Sequence, residues 1–440
     1  MFENILHQNT IVSRLKNDIQ NSVLPPSILF SGPEYSGKGT TALELARILG
    51  CEDQISRGNW NCSCSSCKLH RNLVSPDLLI LGKRRFYEEC CACAGAFLRH
   101  TDNAGCKLLF IRSVRKLLAR FNTILWEDDP KLGKLKIQIE NIEEELEDIE
   151  LYNADPNSAT DDKLEKKCQI ICKKAAKLEN EGISAGIPIN QIRKAAYWCR
   201  LAPLGRHKCM IIENAENMQE GTKHSLLKIL EEPPPNLTII LTSSSPMILL
   251  PTIVSRLREY HFSRRNSEAQ TELLNRVFRE TPAVLDNYPI TIEAYLASFL
   301  PVNSGTLYSL GAYFAASAAS DPYNARTAIT ADLKSFAGSI IVKSGMNQPG
   351  TDSKKTLAQI MSITEQFEIP GLFKRFLQQC CNVLSAWLVY NNENSFHGKE
   401  LSGKELSMDR TLCAEQWRKE LKQSIMEHET YNISPALVLE

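Results

Sequence analysis

The 440-residue chain has no run of about 18 or more apolar residues, the length a membrane-crossing helix needs. Its opening stretch, MFENILHQNTIVSRL, has neither the apolar centre nor the small-residue cleavage site of a secretion signal. These two absences predict a cytoplasmic protein with no membrane partner. The fifteen cysteines are then expected as free thiols or metal ligands and not as disulfides. Charge of one sign is also lacking: Lys+Arg and Asp+Glu stand at 51 each, so no overall basic field argues for direct DNA binding, although a local patch is compatible with the count. Internal repeats and low-complexity tracts are absent. What is left is ordinary globular composition, 43% hydrophobic and 23% charged, in a chain long enough for about two to four domains.

Apolar periodicity gives the organisation. Ile11, Leu15 and Ile19 mark a first helix; PPSILFSGP then reads as a buried strand running into a loop, and GTTALELARILG as a helix packed on a sheet. SPDLLILGKR reads as a second buried strand. Residues 107–126 read as one helix, with Leu108, Ile111, Val114, Leu118, Phe121 and Leu125 on one side. Between 131 and 180, Leu132, Leu135, Ile139, Ile142, Leu146 and Ile149 form one heptad-like seam, and Leu164, Cys168, Ile171, Ala175 and Leu178 form another. The first arm is acidic (IENIEEELEDIE) and the second lysine-rich (KLEKKCQIICKKAAKLE), with an Asp155-Pro156-Asn157-Ser158 turn between them. This predicts an antiparallel helical hairpin whose apolar seam is satisfied within itself, either a solvated decoration or a docking arm. From residue 186 strands and helices alternate again, with one helix stopped by Pro233. After about 266 the strand signals end, and segments such as AQIMSITEQF read as helices.

Three motifs carry chemistry. GPEYSGKGTT presents Gly32, Gly37, Lys38, Gly39 and Thr40 between a strand and a helix, the setting of a phosphate-binding loop, in which backbone N–H groups cradle an anion and Lys38 reaches its outer oxygens. Gly39 stands where a hydroxyl would hold magnesium; Thr40 comes one residue late. The strand read in CMIIENAE ends in Glu213-Asn214 where ATP hydrolysis calls for two carboxylates; Glu213 has one to offer a metal, whereas Asn214 has no basic oxygen to activate water. Glu216 is two residues further on and is expected to point elsewhere. The second motif is CSCSSCKLH: Cys62, Cys64 and Cys67, with Cys51 upstream, read as a closed structural zinc site, against the alternative of free thiols, and His70 is a substitute ligand. A further group, Cys90, Cys91, Cys93 and Cys106 with His100, lies in apolar sequence and reads as buried thiols before a second metal site. The third motif, LLPTIVSRL, places Arg256 at the end of an element. It is either a surface charge or, in a multisubunit nucleotide machine, a finger reaching a neighbour's phosphate.

FENILHQNTIVSRL, LFSGPEYSGKGTT, CSCSSCKLH with SPDLLIL, INQIRK, HKCMIIENAENM, SLLKILEEPP and LLPTIVSRL run in one order through residues 2–265. Together they resemble bacterial DNA polymerase III clamp-loader subunits of the gamma/tau and delta-prime type. The resemblance implies an α/β fold: an AAA+ phosphate-loop core with a parallel sheet, a small helical lid and a C-terminal all-helical collar. The expected divisions are a first core part over 1–200, carrying a zinc module at 51–70 and an insertion at about 85–182 with the hairpin at 131–180; a second core part over 201–265; a lid over 266–320; and a collar over 321–440. It further implies that Lys38 binds phosphate, Cys51, Cys62, Cys64 and Cys67 hold zinc, Thr242-Ser243 form a sensor, and Arg256 is a finger acting in trans. Its partners would be the delta and gamma/tau subunits and, through the complex, the sliding clamp and primer-template DNA. The chain departs from the pattern at Gly39 and Asn214, in the one-residue gap between Cys62 and Cys64, at Leu257 in place of a cysteine, and at the second sensor, whose arginine is not identifiable; SGTLYSL offers Tyr308 near its place. ATP therefore has a cradle but magnesium lacks its hydroxyl. This favours a delta-prime-like stator with weak or absent ATPase of its own inside a DNA-directed DNA polymerase holoenzyme. The other readings are a gamma/tau-type motor using Thr40 and Glu213, and an AAA+ adaptor with no replication role.

Overall fold

A computed structural model describes residues 1–53, 57–152, 162–184, 186–280, 291–300, 302, 304–318, 328–343, 372–394, 411–412 and 414–425. The turn expected at 155–158 and the helix expected over 358–367 lie outside these residues. The chain divides into two units, Met1–Phe299 and Leu300–Glu440.

The first unit is built on five parallel strands, β1 (Ser27–Ser31), β2 (Leu78–Leu81), β3 (Lys208–Ile212), β4 (Leu237–Ser243) and β5 (Arg258–His261), in the order β2-β3-β4-β1-β5. β1 to β4 are buried along their whole length, which is why they read as continuous apolar runs without alternation. β1 lies between β4 and β5, with Ile28 opposite both Ile240 and Arg258. This register brings the ends of β1, β3 and β4 to one edge of the sheet, where open α/β sheets bind ligands.

The helices of this unit are α1 (Asn9–Gln20), α2 (Lys38–Gly50), α3 (Ser65–Arg71), α4 (Phe86–Arg99), α5 (Ala104–Leu118), α6 (Thr123–Trp126), α7 (Leu132–Leu151), α8 (Asp162–Gly182), α9 (Ile189–Arg200), α10 (Glu220–Glu231), α11 (Pro251–Val254), α12 (Ser267–Phe278) and α13 (Ile292–Ala297). The single helix expected over 107–126 is interrupted. A 3-10 turn at Ala119–Phe121 follows α5, and the Asn122 side chain then accepts the Ile124 N–H to start α6. The break is held by the Trp126 indole donating to the Arg120 carbonyl at 2.7 Å.

The hairpin seam is not self-contained. α8 packs on α4 as well as on α7, and α7 also meets α5. Leu135, Ile142, Leu146 and Ile149 join Cys168, Ile171 and Leu178 in one buried cluster with Phe97 and Phe110. Each arm therefore spends its apolar stripe on the neighbouring helices too, so α7 and α8 belong to the core of this unit. Glu179 fastens the arm. α4 begins without a side-chain cap of its own, and the Glu179 carboxylate on α8 accepts the Tyr87 N–H at 3.0 Å. Cys90 and Cys93 face the same cluster from α4 as buried thiols, and among the described residues they join no metal-ligating group.

In the second unit, α14 (Ser304–Ala318), α15 (Ala328–Lys343) and α16 (Leu372–Asn394) pack on one another. Leu333, Leu384, Trp387 and Ala414 form a buried cluster. Tyr308 lies on α14.

Burial pushes Glu179 up from the ordinary carboxylate value to about 8, while the Tyr87 N–H and Lys83 pull it down and Glu88 pushes it further up. The folded protein therefore binds a proton here that the unfolded chain gives up nearer pH 4.5. Stability is full below that value and falls as pH rises toward 8, by about 1.4 kcal/mol per pH unit across the window. Glu179→Gln keeps the acceptor without the charge. Denaturant melts at pH 5 and pH 8 are expected to show the wild type losing more stability than the variant; parallel losses would contradict this account.

Candidate functional site

The glycine-rich loop from Gly32 to Gly37 occupies the edge formed by the strand ends. Gly32 and Gly37 take positive φ values of 128° and 102°, and a Cβ on Gly32 would stand 2.2 Å from the Phe262 carbonyl oxygen, so no side chain fits there. The loop is braced from outside: Gln8 donates to the carbonyls of Ser36 (3.1 Å) and Ser263 (2.9 Å), and Arg265 donates to those of Tyr35 and Leu6. Lys38 opens α2, and its ammonium donates to the Gly32 and Pro33 carbonyls at 2.6 and 2.7 Å. Burial lowers its pKa to about 8, against the attraction of Glu216, Glu34 and Glu213. Thr40 is exposed on the first turn of α2, while Thr41 is the hydroxyl turned back onto the Gly37 carbonyl.

Glu213 stands over Gly39. A Cβ at Gly39 would lie 2.5 Å from Glu213 Oε1 and 3.4 Å from the Arg84 guanidinium, so the carboxylate fills the space in which a hydroxyl-bearing side chain would sit. Glu213 is 5% exposed and pairs with two cations, Arg84 at 3.3 Å and Arg120 in a closer contact. Arg120 is buried as well; it donates to the Gly82 carbonyl and lies 5.1 Å from the Phe86 ring centroid. Arg84 reaches on to Glu89 at 2.8 Å, and Glu89 accepts from Lys116. Burial raises the pKa values of both acids, but the cations outweigh it: Arg84 and Arg120 hold Glu213 below the usual carboxylate range, and Arg84 and Lys116 hold Glu89 at about 2. These side chains do not fit magnesium. Residue 39 has no oxygen to give, and the one carboxylate at the strand end already bears two guanidinium groups.

The remaining predicted residues around the loop are engaged locally. Asn214 is left-handed (φ 52°); its amide donates to the Lys83 carbonyl, and its backbone N–H goes to the Thr242 hydroxyl. The Ser243 hydroxyl accepts the Ser245 N–H. Glu216 does not simply point away: its carboxylate takes the Ser244 N–H and hydroxyl and lies within electrostatic reach of Lys38. Arg256 is exposed just after α11, paired with Glu231 at 2.8 Å and donating to the Thr252 carbonyl. Arg84, Arg120 and Arg265 carry no motif in the sequence; the basic run Lys83-Arg84-Arg85 just after β2 is the one local signal that marks any of them.

The four cysteines converge at the other end of α2. Cys51, Cys62, Cys64 and Cys67 offer sulfurs within 4.8 Å of one another, and the Cys51–Cys62 separation is 3.7 Å. The edge of a tetrahedron with zinc–sulfur bonds of about 2.3 Å is about 3.8 Å, so the donor set fits a closed zinc site. Cys64 accepts the Cys67 N–H at 3.4 Å as it starts α3. His70 is not a fifth candidate: it is buried and bonded to Ser75. One zinc per chain is expected by elemental analysis of protein purified without chelator. Cys64→Ala should release it and lower the melting temperature; zinc-free wild type would refute the site.

The family described as "DNA polymerase III, delta subunit" matches residues 7–266. A DNA polymerase III subunit gamma/tau of Mycobacterium bovis is 33% identical over 107 residues, 24% of this chain and 18% of that protein. Subunit delta' of Pseudomonas aeruginosa is 35% identical over 107 residues, 24% of this chain and 33% of that protein. Subunit delta' of Haemophilus influenzae is 38% identical over 68 residues, 16% and 21% of the two chains. The aligned stretches thus span about a fifth to a third of these relatives. The crystal structure of a gamma subunit-related protein from Thermotoga maritima matches 58% of this chain and 77% of its own, at 18% identity and a TM-score of 0.27. Because the family match spans more than half of the 440 residues, the chain belongs to this clamp-loader family of DNA polymerase III subunits.

Proposed function

We propose that the chain is an accessory, delta-prime-like subunit of the DNA polymerase III clamp loader, with little or no ATP hydrolysis of its own. In that role it helps place the sliding clamp on primed DNA while assembled with delta and gamma/tau subunits. The observation that carries this reading is Glu213 held between Arg84 and Arg120 against Gly39. Hydrolysis needs a metal bridging the outer phosphates and a carboxylate free to orient water. Here two guanidiniums already neutralise the carboxylate, and Asn214 supplies no second acid. The loop retains its N–H cradle and Lys38, so Gly32, Gly37, Lys38, Gly39 and Thr40 are assigned to nucleotide holding without turnover, beside Glu213 and Thr242.

The contribution to catalysis is then made in trans. Arg256 is exposed, at the end of a short helix, in a surface pair with Glu231 that costs little to open. A guanidinium brought beside a transferring phosphoryl group offsets charge that grows in the transition state. Such fingers are worth about 10³–10⁵ in rate at the site they serve. The retained phosphate loop is what favours the competing motor reading, in which this chain would itself turn over ATP.

The two readings order a pair of variants oppositely. In the reconstituted loader, Arg256→Ala is expected to cut clamp- and DNA-stimulated ATPase by the share of the one site that loses its finger, with assembly intact by gel filtration. Lys38→Ala should do much less. Abolition of turnover by Lys38→Ala with a harmless Arg256→Ala would establish a motor. Failure to co-purify with loader subunits would favour an adaptor outside replication.

A further inference from the structure

Arg47 lies nine residues beyond Lys38 on the same helix, and its side chain is 2% exposed. A guanidinium has five N–H groups, and burying it with any of them unsatisfied is costly. Here every one has an acceptor. Nε and Nη2 grip the two oxygens of Glu44 at 3.0 and 2.6 Å, and Nη2 also donates to the Gly58 carbonyl at 2.9 Å. Nη1 donates to the Asn59 carbonyl at 2.9 Å and to the Cys67 sulfur at 3.2 Å. Trp60 lies 5.5 Å from the guanidinium carbon, with Arg71 and Arg112 also ranged about its ring.

An ion pair between Glu44 and Arg47, three residues apart on one helix, needs no contact with a thiol. This one is turned inward so that the fork meets both the sulfur cluster and the loop at 57–60 that leads into it. Four thiolates around one dication leave excess negative charge on sulfur, and N–H groups donated to those sulfurs disperse it. The Cys67 backbone N–H does this for Cys64, and Arg47 does it for Cys67.

We propose that Arg47 is the positioning residue of the metal site: it carries part of the Cys67 thiolate charge and, through the Gly58 and Asn59 carbonyls, holds the loop that brings Cys62 to the other sulfurs. This rests on reading the four cysteines as a zinc site. Because Arg47 belongs to α2, it also ties the metal module to the helix that presents Lys38.

The test uses the full chain. Zinc content is measured first, then competition for zinc with a chromophoric chelator, then the sulfur-to-cobalt charge-transfer band of the Co²⁺-substituted protein. Outer-sphere partners of metal ligands are typically worth about 10–100-fold in metal affinity, and a loss of that size is expected for Arg47→Gln. Its cobalt band should move to lower energy, because a sulfur without its N–H donor holds its electrons less tightly. Arg47→Lys, which keeps the charge but not the fork, should fall between and gives the reading if the glutamine variant does not fold. Glu44→Gln breaks the ion pair while leaving the N–H to Cys67 in place, so it should hold zinc nearly as the wild type does, with an unmoved band. Equal losses for Glu44→Gln and Arg47→Gln, or zinc binding and a band unchanged by either Arg47 variant, would overturn the assignment with the metal site intact. Wild type without zinc would overturn the metal site itself and the assignment with it.

Discussion

A carboxylate buried at the end of a central strand must be neutralised, and the way Glu213 is neutralised orders much of this molecule. A metal ion is one solution; two guanidinium groups are another. Arg84 comes from the turn after β2, one strand away. Arg120 comes from the break between α5 and α6, and the Trp126 indole and the Gly82 carbonyl hold that break in register. Removing Arg120 would leave the buried carboxylate with Arg84 as its one remaining cation, so the geometry of the site depends on the position of α5. α5 is in turn fixed by the helical arms packed against it and against α4. The segment from 85 to 182 therefore does more than decorate the core. It supplies Glu89, Lys116 and Arg120, three of the charged groups that settle what the strand end can bind.

Local patterns are what the sequence makes legible. β1 to β4 are apolar runs because both faces of each are covered. The loop from Gly32 to Lys38, the four cysteines and the stop before Pro233 are set by backbone and ligand geometry, and spacing records them. The Asn122 break was lost because Leu118, Phe121 and Leu125 keep a helical rhythm across it, and one capping amide outweighs that rhythm. The hairpin was assigned but its packing was not. A heptad seam states that a stripe is covered, not by how many helices, and Cys172 and Ala176 beside the seam were the residues that also turn toward buried surroundings.

What the sequence could not show was pairing over long separations. Glu213 meets Arg84 and Arg120 at 129 and 93 residues' distance, and Glu179 meets Tyr87 at 92. An arginine in a helix reads as a solvated charge unless the fold is known. Gly39 and Asn214 are the positions where the sequence points to the outcome. A missing hydroxyl reads as a simple loss, whereas in the structure Glu213 Oε1 lies 2.5 Å from where a Cβ would stand, so the carboxylate would have to shift to admit a side chain at residue 39.

These contacts make α2 the axis of the site. Its N-terminus carries the phosphate loop with Lys38, its first turn passes under Glu213, and its last turns hold Glu44, Arg47 and, just beyond, Cys51. Helices transmit position well along their axis because each residue is bonded to the next turn. Gln8 and Arg265 bond the loop at the N-terminal end of α2, and Arg47 bonds the cysteine cluster at the other.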